Sequence, residues 1–287
     1  MKTGVNAYCY ARARSENFTV CDMIDHAKKT GFDGIEFRWA DIYDGRDLIE
    51  SARRTGEKCR EAGLVVFSLN AGVNFLDNDR NAQIEAGKKF IDCAYFLGSE
   101  ALRLDTIKGS LSQAGKGGMR KFIELASDGA RELADYAGEK GMRLMVENHG
   151  QIMQDSIIVE ELINRVGREN YGALVDIGNF LCADEDPEKA VGRMARYAMH
   201  VHMKDFHVKS GNEVFLPSTG WFGTRGGNYL RGAMLGHGNV PVYQCIKALR
   251  SSGYDKAVSL EFEGMESPLQ AVEEGYRVMK KVLAMTE

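Results

Sequence analysis

The chain has 287 residues, 44% apolar and 27% charged, and its 37 Lys and Arg against 41 Asp and Glu leave a net charge of −4. That balance carries no electrostatic footprint for nucleic acid, and no run approaches the length of a membrane span. The length suits one α/β barrel or two smaller domains. The opening stretch MKTGVNAYCYARARSE lacks the apolar core of a signal peptide, and the six cysteines are scattered without C-x-x-C spacing. Reduced thiols and a cytoplasmic location are the expectation from both features.

In chain order, short runs rich in apolar and β-branched residues alternate with amphipathic stretches. The runs are 3–10, 34–38, 64–70, 100–105, 142–148, 171–177, 197–205 and 256–264. Helix-period segments follow them at 20–30, 46–62, 79–97, 119–140, 155–166, 187–195, 241–252 and 268–284. Four helix-to-strand junctions, KKTGFDGIEF, REAGLVVFSL, GEKGMRLMVE and RSSGYDKAVSLEF, carry a Gly where a helix end favours a left-handed residue. Strands alternating with helices through short turns predict a parallel sheet, and eight such units predict a single (β/α)₈ TIM barrel over 1–287.

Two segments stand out between these elements. The glycine-rich KGSLSQAGKGG (108–118) has the wrong spacing for a dinucleotide or P-loop motif, so it reads as a loop after the fourth strand. The unit between the seventh and eighth strands is oversized, and its excess, 206–239, is predicted to be a long loop on the C-terminal face of the barrel. Its glycines, with Trp221, Phe222, Tyr229, Arg225 and Arg231, suit closure over a polar ligand.

The last polar residues of the fifth to eighth strands are Glu147, Asp176, His202 and Glu261. Three carboxylates left together at one quarter of the barrel mouth would repel one another and raise their own pKa values. A divalent cation removes that conflict, and a set of carboxylates with one imidazole suits Mn²⁺ first, with Mg²⁺, Co²⁺ and Zn²⁺ as alternatives. His200 lies two residues before His202 on the same strand face and is expected to be a hydrogen-bonded interior residue.

The ordered motifs V-E-N-H, L-V-D-I-G-N, H-V-H-x-K-D, G-H-G-N-V and S-L-E-F-E-G together resemble the xylose isomerase-like barrel family of sugar phosphate isomerases and epimerases. The resemblance implies that Glu147, Asp176, His202 and Glu261 hold a divalent metal, with Glu147 and Glu261 also catalytic. The Glu pair would move a proton beside a metal-polarised carbonyl. Glu263 is the rival of Glu261 for the ligand position, and His149, Asn179, Lys204, Arg225, Arg231 and His237 are candidates for substrate contact. Glu36 of the second strand is a further candidate for substrate contact or proton transfer, with a core ion pair as its alternative.

The expected partner is a small sugar or sugar derivative, phosphorylated or not; a homo-oligomer is left open. Asn179 and Val208 stand where ketose 3-epimerases of that family carry His and Arg, which argues against a plain 3-epimerase. The alternative activity is a metal-dependent lyase on a keto-sugar, either an inosose-type dehydratase or the metal subunit of a C-glycoside deglycosidase. A DNA-repair endonuclease of this fold would need additional early His ligands, and His26 is the only His before His149.

Overall fold

The computed structural model describes residues 1–77, 79–109, 112, 118–212 and 218–286. Most of the glycine-rich 108–118 segment lies outside the described residues. Among them, eight parallel strands close a barrel: β1 (Lys2–Asn6), β2 (Gly34–Arg38), β3 (Val65–Gly72), β4 (Ala101–Asp105), β5 (Arg143–Glu147), β6 (Tyr171–Asp176), β7 (Ala198–Met203) and β11 (Ala257–Leu260). The order around the ring is β1-β11-β7-β6-β5-β4-β3-β2. Outside it run α1 (Val20–Thr30), α3 (Leu48–Ala62), α4 (Arg80–Leu97), α5 (Gly118–Glu139), α6 (Ser156–Val166), α7 (Pro187–Met194), α8 (Val242–Ser251) and α9 (Pro268–Met285), with the short α2 (Trp39–Ile42) after β2.

Local chemistry explains the punctuation. Thr19 and Asp22 form a reciprocal cap at the start of α1. All four junction glycines adopt positive φ: Gly31 (104°), Gly63 (73°), Gly141 (68°) and Gly253 (87°). A side chain there would be strained, so glycine turns each helix back toward its next strand. The inner stripe of α5 repeats at helical spacing through Ile123, Ala126, Ala130, Leu133, Ala134 and Ala137, all buried.

The first strand is shorter than its apolar run. The Asn6 side chain accepts from Tyr8 N at 3.0 Å and turns Ala7–Tyr10 into a 3₁₀ helix. The eighth strand likewise ends at Leu260, although Glu261 N still donates to Met203 O at 3.1 Å and keeps Glu261 against β7.

The segment expected to be a long loop is instead partly sheet. β8 (Asp205–Lys209), β9 (Phe222–Gly223) and β10 (Tyr229–Ala233) form an antiparallel sheet in the order β8-β10-β9. Asp205 anchors its return: its carboxylate accepts from Gly236 N (2.9 Å), Gly238 N (2.8 Å) and Val240 N (3.0 Å). Gly238 is required there, since a Cβ would collide with that carboxylate and with Phe206 O.

Inside the barrel, side chains two residues apart share the inward face. Ala101, Met145 and Leu174 form a small apolar layer. One step toward the C-terminal ends, the same parity delivers Arg103, Glu147 and Asp176.

Candidate metal centre

Strand register puts Asp176 beside His202 and Ser259 beside His202, so β6, β7 and β11 present neighbouring inward positions. One donor atom each from Glu147, Asp176, His202 and Glu261 lies within 4.8 Å of all the others. All four residues are buried. His202 Nδ1 faces the carboxylates, 2.8 Å from Glu261 Oε2, 3.2 Å from Glu147 Oε1 and 3.8 Å from Asp176 Oδ2.

Asp176 is aimed by the backbone. Gly178 N and Asn179 N each donate to its Oδ1 at 2.8 Å. Asn148 staples the strand ends together, accepting from Asp176 N at 2.9 Å and donating to Asp176 O at 2.8 Å. The second carboxylate oxygen, Oδ2, is buried in the cluster with no hydrogen-bond partner among the described residues. A buried carboxylate oxygen without a partner is costly. Together with three carboxylates and an imidazole at coordinating separations, that orphan fits a divalent cation.

The electrostatics agree. Burial, with the charges of Glu261 and Glu147 adding to it, pushes Asp176 up to about 7. Burial also works against Glu147 and Glu261, but Arg103 overrides it for the first, and Lys204 and His202 for the second; both carboxyls are held below the ordinary range. Arg103 Nη2 lies 2.6 Å from Glu147 Oε2, and Lys204 Nζ donates to Glu261 Oε1 at 3.1 Å. Asn6 Nδ2 donates to Glu261 Oε2 at 3.0 Å. Glu263, the rival to Glu261, instead pairs with Lys204 at 3.3 Å and faces a cavity.

These shifts give a pH prediction with a definite sign. The Asp176 carboxyl is raised above its unfolded value, so the metal-free protein loses stability as pH rises between roughly 4 and 7. Burial lowers the His202 imidazole, yet Glu36 and Glu261 outweigh it and hold the pKa well above normal; its contribution also fades as pH rises. A cation displaces those protons. The melting-temperature gain on adding Mn²⁺ is therefore expected to be small near about pH 5.5 and to grow by about pH 8, as followed by scanning fluorimetry. Equal gains at both pH values would contradict this linkage.

A cavity of about 500 Å³ opens beside the cluster, lined by residues that include His149, Asn179, Lys204, Arg225, Phe222 and Glu263. Four of the six candidate substrate contacts are thus brought to one space. Asn179 Nδ2 also reaches Glu147 Oε1 at 3.5 Å, and His149 Nδ1 lies 3.5 Å from Asp105 Oδ2. Arg225 is held by Asp155 at 2.6 and 2.7 Å and by Gln151 O at 3.1 Å.

Arg231 and His237 are not among the cavity's lining residues. Arg231 sits on β10, its guanidinium 5.6 Å from the Trp221 ring centre and 3.9 Å from Glu266, while His237 lies exposed in the return that Asp205 anchors. Glu36 lies beneath the cluster, fully buried between His200 and His202. Sequence reasoning missed Arg103 and Asn6. The only signal for Arg103 was a charge at an inward position of the apolar run 100–105.

A family model described as xylose isomerase-like TIM barrel matches residues 24–282. An inosose dehydratase of Clostridium perfringens is 25% identical over 139 residues, 48% of this chain and 46% of the relative, so the match spans about half of that relative's length. Among solved structures, a zinc-bound IOLI protein superposes with a TM-score of 0.77 at 19% identity, covering 100% of this chain and 99% of that one. The 3-keto-D-glucoside 4-epimerase of E. coli superposes with a TM-score of 0.72 at 15% identity, covering 98% and 99%. At such identities the likeness of structure speaks for the fold alone. No helix among the described residues is long and apolar enough to cross a membrane.

Proposed function

Because the chain belongs to the xylose isomerase-like TIM barrel family, we propose that it is a divalent-metal-dependent enzyme that moves a proton on the carbon beside a carbonyl of a sugar or sugar-like polyol. The observation that carries this reading is Asp176 Oδ2, which has no hydrogen-bond partner among the described residues and is buried among Glu147, His202 and Glu261. Glu147, Asp176, His202 and Glu261 would hold the metal, with Mn²⁺ the first choice for three carboxylates and one imidazole. The metal, when bound, supplies a Lewis acid that polarises the carbonyl and acidifies the neighbouring C–H.

The side chains account for the rest. Glu147 and Glu261 arrive from strands on different sides of the cluster, and each is kept ionised by a neighbouring cation, Arg103 or Lys204. Both therefore start as proton acceptors. One carboxylate removes the C–H proton and, by returning it to the neighbouring carbon, gives isomerisation; epimerisation requires the opposite carboxylate to take up a proton from solvent and deliver it to the other face. Lys204, His149 and Asn179 line the cavity and orient hydroxyls by hydrogen bonds. Arg225, fixed on Asp155, forms part of the outer wall.

A second reading, elimination of water from a keto-polyol, is favoured by the inosose dehydratase among the relatives. Within the cavity, His149 backed by Asp105 offers a proton donor for a leaving hydroxyl. Both readings share the first proton removal, so one experiment addresses both. Candidate ketoses, 3-keto sugars and inososes are incubated with Mn²⁺-loaded protein in D₂O. Deuterium beside the carbonyl without loss of mass supports isomerisation or epimerisation, and loss of water to a conjugated carbonyl absorbing in the ultraviolet supports the lyase. Neither signal with any of these substrates would sink the proton-transfer reading.

A further inference from the structure

Beneath the four-residue cluster lies a polar chain that the proposed reaction does not use. His202 points Nδ1 toward the carboxylates, and its opposite ring nitrogen, Nε2, lies 3.2 Å from Glu36 Oε2. The other Glu36 oxygen, Oε1, is 2.6 Å from His200 Nε2, which in turn is 3.0 Å from Ser259 Oγ. Glu36 comes from β2 and the other three from β7 and β11, so the chain crosses the barrel interior. Glu36, His202 and Ser259 are 0% exposed and His200 is 4% exposed.

An ionised carboxylate only accepts hydrogen bonds. The nitrogen of His202 that faces Glu36 must therefore carry a hydrogen, so the proton that a cation displaces is the one on Nδ1, whose lone pair is then free to ligate. A metal-binding imidazole needs that arrangement, with one nitrogen protonated and anchored and the other free to ligate. We propose that Glu36 is a positioning residue, which locks His202 in the Nε2–H form and presents Nδ1 to the cation, while His200 and Ser259 hold Glu36 in place. This inference rests on the metal-centre reading above. A core ion pair alone would fill the barrel equally well but would leave metal affinity indifferent to Glu36.

The test uses the full chain with ¹⁵N-labelled histidine and Zn²⁺, which is diamagnetic. Long-range ¹H–¹⁵N spectra of the loaded wild type are expected to show His202 protonated at Nε2 and metal-bound at Nδ1. Glu36→Leu is expected to weaken Zn²⁺ binding by about 10- to 100-fold, and Glu36→Gln by less, since its amide oxygen can accept the same hydrogen bond. A wild type ligating through Nε2, or both variants binding Zn²⁺ as wild type does, overturns the role of Glu36 and leaves the metal centre standing. A wild type that binds no Zn²⁺ overturns the metal centre and this inference with it. The wild-type spectrum decides even if a variant fails to fold.

Discussion

Asp176→Asn is expected to abolish metal-dependent turnover while leaving the metal-free protein at least as stable as the wild type at about pH 8. The amide keeps the volume of the side chain and can still accept from Gly178 N and Asn179 N. What it removes is the charge on Oδ2, the buried oxygen without a hydrogen-bond partner among the described residues. Loss of a cation worth several kcal/mol to the reaction lowers kcat/KM by about 10³-fold or more. Removing a carboxylate that burial and its neighbours raise to about 7 relieves repulsion. A purely structural Asp176 predicts the reverse, a lower melting temperature with activity spared. Calorimetry of the stripped proteins beside Mn²⁺ titrations separates the two.

The second large effect is expected at the two glutamates. Glu147→Gln and Glu261→Gln, each saturated with metal, should lower deuterium exchange into substrate by about 10²- to 10⁴-fold, the usual contribution of a positioned acid or base. Their effects on folding should be alike. Glu147→Gln weakens the pairing of Arg103, which then keeps Asp105 at 3.1 Å as its carboxylate partner. Glu261→Gln leaves Lys204 still paired with Glu263 at 3.3 Å. The melting temperatures of the two metal-free variants should therefore fall by similar amounts. Exchange that survives Glu261→Gln but is lost in Glu147→Gln would make Glu147 the first base and leave Glu261 to return the proton. Exchange surviving both would remove these residues from proton transfer.

The barrel was legible because its signals are local. Gly31, Gly63, Gly141 and Gly253 mark helix ends whatever the fold around them, and each takes the left-handed backbone its position implies. The gathering of Glu147, Asp176, His202 and Glu261 was legible for a related reason. Each closes an apolar strand at inward parity, and strand ends in a closed parallel ring meet on one side.

Contacts across the ring were not legible. Glu36 meets His202 at a separation of 166 residues, and no periodicity links positions on β2 and β7. Arg103 was passed over because one charge within an apolar run does not reveal that it faces Glu147. Arg231 and His237 are expected from the sequence to contact substrate, and the glycines and polar side chains around them give no sign of strand pairing. Pairing of β8 with β10 places Arg231 against Trp221 and Glu266 instead.

Asp184 has a left-handed backbone (φ 57°) and accepts hydrogen bonds from Thr224 Oγ1, Gly226 N and Asn228 Nδ2. With the Arg225–Asp155 pair, it ties residues 224–228 of the outer cavity wall to the barrel through exposed polar groups, while Phe222 packs against the buried Phe206. Changes along 224–228 therefore fall on exposed polar ties rather than on the strand ends that gather the carboxylates. A lineage could retailor which molecule it admits by rewriting a few surface positions, while inheriting the reactive machinery unaltered.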